Sequence, residues 1–254
     1  MKKIILLLML AICPVFMYAQ KGFKHASEGF AFCQNANYPK AIECFEKALK
    51  AKFYEDGVMY CRIAACYTEM NEKDKAIRCL YEGYNRFPNS IQIILALVEH
   101  TLEVNQKEEC LKLIDKGLNV EALHSLYYVK GNILYETGKY DEALECYRKS
   151  EELAPDFGWG YYSIGLHYYE KIRAIQANYE GFETPESEIE KVKEIALTAV
   201  EYFEKAFSTT TDPQAKLGAA DCLYNLGSAF QETDEYYKEL SEKYSNYMEN
   251  GIQL

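Results

Sequence analysis

Beyond its first sixteen residues, this 254-residue sequence lacks any long apolar run. A membrane-spanning helix needs about 20 consecutive apolar residues, so none is predicted after that point. The marks of chemistry are missing too. There is no G-x-S-x-G, no H-E-x-x-H, no P-loop and no Cys-x-x-Cys. Catalysis needs a nucleophile beside a base, paired carboxylates in a pocket, or a metal site, and no signature of these stands in the chain. His25, His100, His124 and His167 are scattered singly, which leaves no metal-ligand spacing. Positive charge is also scarce: 28 Lys and Arg face 39 Asp and Glu, for a net charge of −11. Such a surface repels nucleic acid and anionic headgroups, whose binding draws on Lys and Arg. The reading is a non-enzyme with no catalytic residues, no cofactor, no metal and no nucleic-acid partner.

The apolar run that does exist belongs to export. Lys2 and Lys3 precede a stretch from Ile4 to about Phe16, and Ala19 offers a small residue before Gln20. This pattern predicts a secretory signal over 1–19 and no transmembrane segment after cleavage. A retained anchor competes, because Met17 is bulky for a cleavage site. Lipidation of Cys13 competes as well, although Ile12 is not the small residue that lipoprotein processing wants. Loss of the two lysines would take the mature chain from −11 to −13.

What fills the rest is a repeat. Ala41, Ala76, Cys110 and Ala143 lie 35, 34 and 33 residues apart. Twelve residues before them stand Gly29, Ala64, Val98 and Gly131; four after stand Phe45, Leu80, Ile114 and Tyr147. A period near 34 predicts two-helix units, each unable to bury its apolar face alone. The unit is clearest at Tyr140–Pro155, where Ala143, Tyr147 and Ser150 fall at i, i+4 and i+7 on one helical face. Upstream, Tyr127, Gly131 and Leu134 make the facing stripe, and Gly138 supplies the left-handed residue that closes a helix.

This pattern resembles the tetratricopeptide repeat over roughly residues 22 to 212. The resemblance implies an all-α, right-handed α-solenoid with about five repeats over 20–212. The third copy is degenerate, with Val98 and Cys110 replacing the usual small pair. In the fifth, Gly165 and Ala199 are 34 apart instead of 12, so an insert of 22 residues, at about 171–194, elongates the hairpin. Thr184-Pro185-Glu186 predicts the start of its second helix. The segment 213–254 reads as a capping helix pair, with Gly227 turning the chain between its helices.

Eight cysteines follow the signal. Cys110 holds a core-alanine position, and Cys44, Cys79 and Cys146 share one repeat position, about one repeat apart and too distant to pair easily. Most read as packing residues, with room for one disulfide.

The feature left for function is aromatic. Tyr128, Asn132 and Tyr135 form a second stripe on the first helix of the fourth copy; Trp159, Tyr162, Leu166 and Tyr169 repeat it in the fifth. In tetratricopeptide arrays the first helices line the concave groove, so the resemblance implies that these residues face it. Packing between repeats is the competing reading. The corresponding positions of earlier copies hold no Lys or Arg, which disfavours capture of a peptide's C-terminal carboxylate. The site expected is therefore Tyr128, Asn132, Tyr135, Trp159, Tyr162 and Tyr169, taking a protein or peptide. A glycan is the alternative, since Trp and Tyr faces also stack on sugars. The whole reads as a scaffold or adaptor of a bacterial cell envelope, periplasmic or secreted, with a signal of Bacteroidetes type.

Overall fold

The computed structural model describes residues 20–53, 57–179, 185–232 and 234–250. The expected signal, 1–19, and Thr184 lie outside them. The described residues are helices joined by turns. They fall into two compact units that divide between Ala122 and Leu123.

The first unit holds α1 (residues 20–34), α2 (Tyr38–Lys50), α3 (Val58–Glu69), α4 (Lys73–Arg86), α5 (Ile91–Glu103) and α6 (Lys107–Val120). The second holds α7 (His124–Glu136), α8 (Tyr140–Leu153), α9 (Gly158–Ala177), α10 (Glu186–Thr209), α11 (Pro213–Phe230) and α12 (Glu235–Asn250). Within each unit a helix packs on its hairpin partner and then on the next hairpin, as in α3 on α4, α4 on α5 and α3 on α5. The fold class is the all-α solenoid of helix hairpins that the period predicts.

The repeat frame is the core. Ala41, Cys110, Ala143 and Ala199 are 0% exposed and Ala76 is 6%. Facing them, glycine and ring interlock. A Cβ on Gly29 would stand 2.5 Å from Phe45 Cε1, one on Gly131 2.5 Å from Tyr147 Cε1, and one on Gly165 2.7 Å from Phe203 Cε1. Where the small position is larger, the large position is smaller, and both stay buried: Ala64 with Leu80 in the second copy, Val98 with Ile114 in the degenerate third. Such trading of volume keeps interior packing dense without strain.

The turns inside the first four hairpins share one geometry. Ala36, Asn71, Asn105 and Gly138 have φ of 53°, 60°, 56° and 80°. In each, the next amide N–H reaches back to the preceding helix: Asn37 to the Phe32 carbonyl, Glu72 to Tyr67, Gln106 to Thr101, Lys139 to Leu134, all at 2.8–2.9 Å. This is the Schellman closure, which satisfies carbonyls a helix end would otherwise orphan.

The fifth hairpin is long, with 20 residues in α9 and 24 in α10, against 12 to 14 in α2 to α8. Its extra turns have their own seam, for Ile172, Val192 and Ala196 are all buried. Two sequence readings need correction. Gly227 does not turn the chain; it lies inside α11, where an added Cβ would sit 2.6 Å from the Ser241 amide nitrogen of α12. The glycine serves close backbone approach. Tyr127, read as core, is half-buried, and its neighbour Leu126, 1% exposed, takes the interior place.

Candidate interaction site

Helices α7, α8 and α9 enclose an open depression of ≈ 230 Å³, lined by Tyr128, Asn132, Tyr135 and Glu136 from α7, Tyr147 from α8, and Trp159, Tyr162, Ser163 and Leu166 from α9. Helical spacing explains the lining. Tyr128, Asn132 and Tyr135–Glu136 follow one face of α7, and Trp159, Ser163 and Leu166 one face of α9. Five of the six residues singled out from sequence meet here.

Tyr169 does not. Two helical turns beyond Tyr162, about 10 Å along the axis, its ring lies edge-on to Phe203 at 6.4 Å. Glu136 and Ser163 were missed, although each sits on the same helical face as a residue that was chosen.

The lining residues are held in place by their neighbours. Tyr147, 3% exposed, sends its hydroxyl through the floor to donate to Asn132 Oδ1 at 3.0 Å. Tyr128 packs edge-on to Phe157 at 5.1 Å, and Tyr135 to Tyr140 at 5.0 Å. Trp159 stands at 87° to Tyr162, 5.6 Å between centroids. Its indole lies beside Asp212, the N-cap of α11, whose carboxyl is held below its usual range mainly by the Ala215 N–H. Tyr162 is the most tightly framed. It packs on Phe203 at 5.8 Å and lies beside Cys222, and burial pushes its hydroxyl pKa up to about 12.

These side chains are therefore both packed and presented: all six are half-buried. The only formal charge in the lining is Glu136. Burial and the neighbouring Glu170 raise the Tyr135 hydroxyl, so the phenol stays a neutral donor. The site can offer aromatic faces, hydroxyls and an amide to a neutral or basic segment.

A larger groove, ≈ 700 Å³, lies between α2, α3 and α4 of the first unit. Its cations are largely engaged at home: Lys75 with Glu72, and Arg78 Nε with the Asp74 carbonyl. Glu46 and Glu82 stand in its wall. Among the described residues no group of three or more His, Cys, Asp and Glu is placed to hold a metal, and no described helix is long and apolar enough to cross a membrane.

Residues 131–171 match the family model described as TPR repeat, a span that contains Asn132, Tyr135, Trp159, Tyr162 and Tyr169. The chain is 25% identical over 217 residues to interferon-induced protein with tetratricopeptide repeats 2 of Cricetulus griseus, covering 81% of this chain but 43% of that protein. It thus spans less than half that relative's length. Pseudomonas aeruginosa pilF superposes with a TM-score of 0.64 at 11% identity, over 89% of this chain and 90% of its own. PilW, a widely conserved type IV pilus biogenesis factor, gives 0.59 at 15% identity, over 91% and 94%. At such identities the structures share the fold alone. The matched repeat, the repeat-bearing relative and the shared fold all make this chain similar to tetratricopeptide-repeat proteins.

Proposed function

We propose that the chain is a non-catalytic protein-interaction scaffold that receives a segment of its partner in the depression between α7, α8 and α9. The observation that carries this is the convergence of Tyr128, Tyr135, Trp159 and Tyr162 on one concave wall beside Asn132. Ligand pockets for whole small molecules usually measure about 300–1,000 Å³. A depression of ≈ 230 Å³ suits one or two side chains of a peptide instead. Tyr and Trp are the usual energetic anchors of interfaces, and clustered exposed aromatics mark them. With aromatic faces, hydroxyls and the Asn132 amide in the lining and no Lys or Arg, the favoured segment presents an aromatic or aliphatic residue.

An adaptor of the bacterial envelope, periplasmic or secreted, is the setting we favour. It rests on the lysine-led, apolar first nineteen residues; PilW, a pilus biogenesis factor, has the same fold. Residues 20–212 form the repeat array in this reading, with α11 and α12 capping it. Stacking on a sugar ring is the second reading, favoured by the polar pair Asn132 and Glu136 set among the aromatics.

Trp159 is the only tryptophan in the chain, so its fluorescence reports on the site directly. Peptides selected from a random display library should shift its emission on titration. Tyr135→Ala should weaken them about tenfold, the equivalent of about 1.4 kcal/mol. A glycan array run beside the peptides decides for the second reading if only sugars bind. Binding that leaves Trp159 emission unchanged and ignores Tyr135→Ala would remove the site from this depression.

A further inference from the structure

Cys33 and Cys66 meet across the first two hairpins. Cys33 lies near the end of α1 and Cys66 in α3, and their sulfurs are 3.5 Å apart. Sequence spacing concealed the pair, because they occupy non-equivalent positions of consecutive repeats. Other sulfurs turn elsewhere: Cys79 to the Tyr60 carbonyl and Cys110 to the Val98 carbonyl. All eight cysteines of the described residues are free thiols.

We propose that Cys33 and Cys66 are a modification site, oxidised by a small-molecule disulfide such as glutathione disulfide to a covalent staple between α1 and α3. A disulfide bond is about 2.05 Å long, so the sulfurs need to close by about 1.5 Å, within reach of small side-chain rotations. Access is unequal. Cys33 is half-buried, while Cys66 is 2% exposed in the cluster of Ala26, Phe45, Met59 and Ile63. Tyr38 packs against that cluster and donates to Glu69, covering the pair from one side.

The order of events follows from that asymmetry. The Cys33 thiol gives its proton to solvent, and its thiolate attacks one sulfur of the oxidant. The oxidant's S–S bond breaks and one small thiolate leaves. Cys66, losing its own proton, then attacks the Cys33 sulfur and expels the second small thiolate. The released thiolates take up the two protons. Two protein thiols are oxidised, one small disulfide is reduced to two thiols, and one protein S–S bond remains. Burial, and then the neighbouring Cys33, push the Cys66 thiol up to about 12, so the second step is the slower one.

The staple would matter for a physical reason. In a repeat array each hairpin contacts only its neighbours, so a covalent bond between α1 and α3 secures the first hairpin to the second. The test uses the full-length reduced protein, incubated with glutathione disulfide, alkylated and digested with trypsin. The expected product is peptide His25–Lys40 joined to Ile63–Lys73, with two fewer alkylatable thiols and reversal by dithiothreitol. The oxidised protein should melt about 5 °C or more above the reduced one, and Cys33→Ser, a change at the half-buried sulfur, should abolish the difference. Separate alkylation of both peptides, arrest as a glutathione adduct on Cys33, or pairing of either cysteine with a different one would overturn the proposal.

Discussion

Replacing Gly165 by Ala puts a methyl group against Phe203 and tests the volume trade of the repeat hairpins. The new Cβ would lie 2.7, 2.8 and 3.0 Å from Cε1, Cδ1 and Cζ of the ring. Phe203 is 0% exposed, so a ring met on three atoms has to move into packed neighbours. Overpacking of this kind costs about 2–3 kcal/mol at the upper end of its range. Alanine is a better helix former than glycine by about 1 kcal/mol, which offsets part of it. The net loss should be about 1–2 kcal/mol, seen as a urea midpoint lowered by roughly 0.5–1 M. Phe203→Leu alone should cost about 1–1.5 kcal/mol through the space it leaves. The double variant recreates the Ala64–Leu80 pair of the second hairpin and should cost about 1 kcal/mol or less. Independent sites add to within about 0.5 kcal/mol, so a coupling near 1–2 kcal/mol is measurable. Trp159 lies on α9 with Gly165, so its fluorescence follows this hairpin while circular dichroism follows all helices. Additive losses, or a stabilised Gly165→Ala, would refute the reasoning.

Three further outcomes are expected. Tyr162→Ala should lower stability by about 3 kcal/mol and Trp159→Ala by less than half of that, because Tyr162 is framed by Phe203, Gly218 and Cys222 while Trp159 rests on Tyr162 and Asp212; thermal melts by circular dichroism rank them, and equal losses would contradict the geometry. At the shared left-handed turn, Ala36→Gly should stabilise and Gly138→Ala destabilise by about 1 kcal/mol each, since Ala36 already bears a φ of 53° and nothing crowds Gly138; urea midpoints shifting the same way would count against it. His167 is 2% exposed with Nε2 unpartnered among the described residues, and burial, with Lys171 and Arg148 outweighing Asp141, holds its pKa below the ordinary 6.5. It is harder to protonate in the folded state than in the unfolded chain, so its contribution is intact above about pH 6.5 and lost as pH falls below that; the drop in urea midpoint from pH 7.5 to 5 should be smaller in His167→Gln, and an equal drop would rule His167 out as its source.

The hairpins were legible in the sequence because the information is local. Ala41, Ala76, Cys110 and Ala143 mark a helical face, and the small residue twelve before each meets the large one four after within a single hairpin. Even the degenerate third copy keeps both positions buried, at Val98 and Ile114. Tyr128, Asn132, Tyr135, Trp159 and Tyr162 could be placed on one wall for the same reason: helical spacing within a hairpin and one repeat step between hairpins are enough to bring them together.

What tertiary structure alone decided depends on how far helices extend and how closely their axes approach. Gly227 looks like a turn residue in sequence, yet it is a contact point where α12 comes within van der Waals reach of α11. Tyr169 keeps the stripe's spacing, but its ring lies against Phe203 and does not line the depression. Cys33 and Cys66 share no repeat position, and only the lateral packing of α1 against α3 brings their sulfurs to 3.5 Å. Periodicity specifies which face of a helix is buried; it contains neither the offset between neighbouring helices nor the separation of their axes, and those two quantities select the atoms that meet.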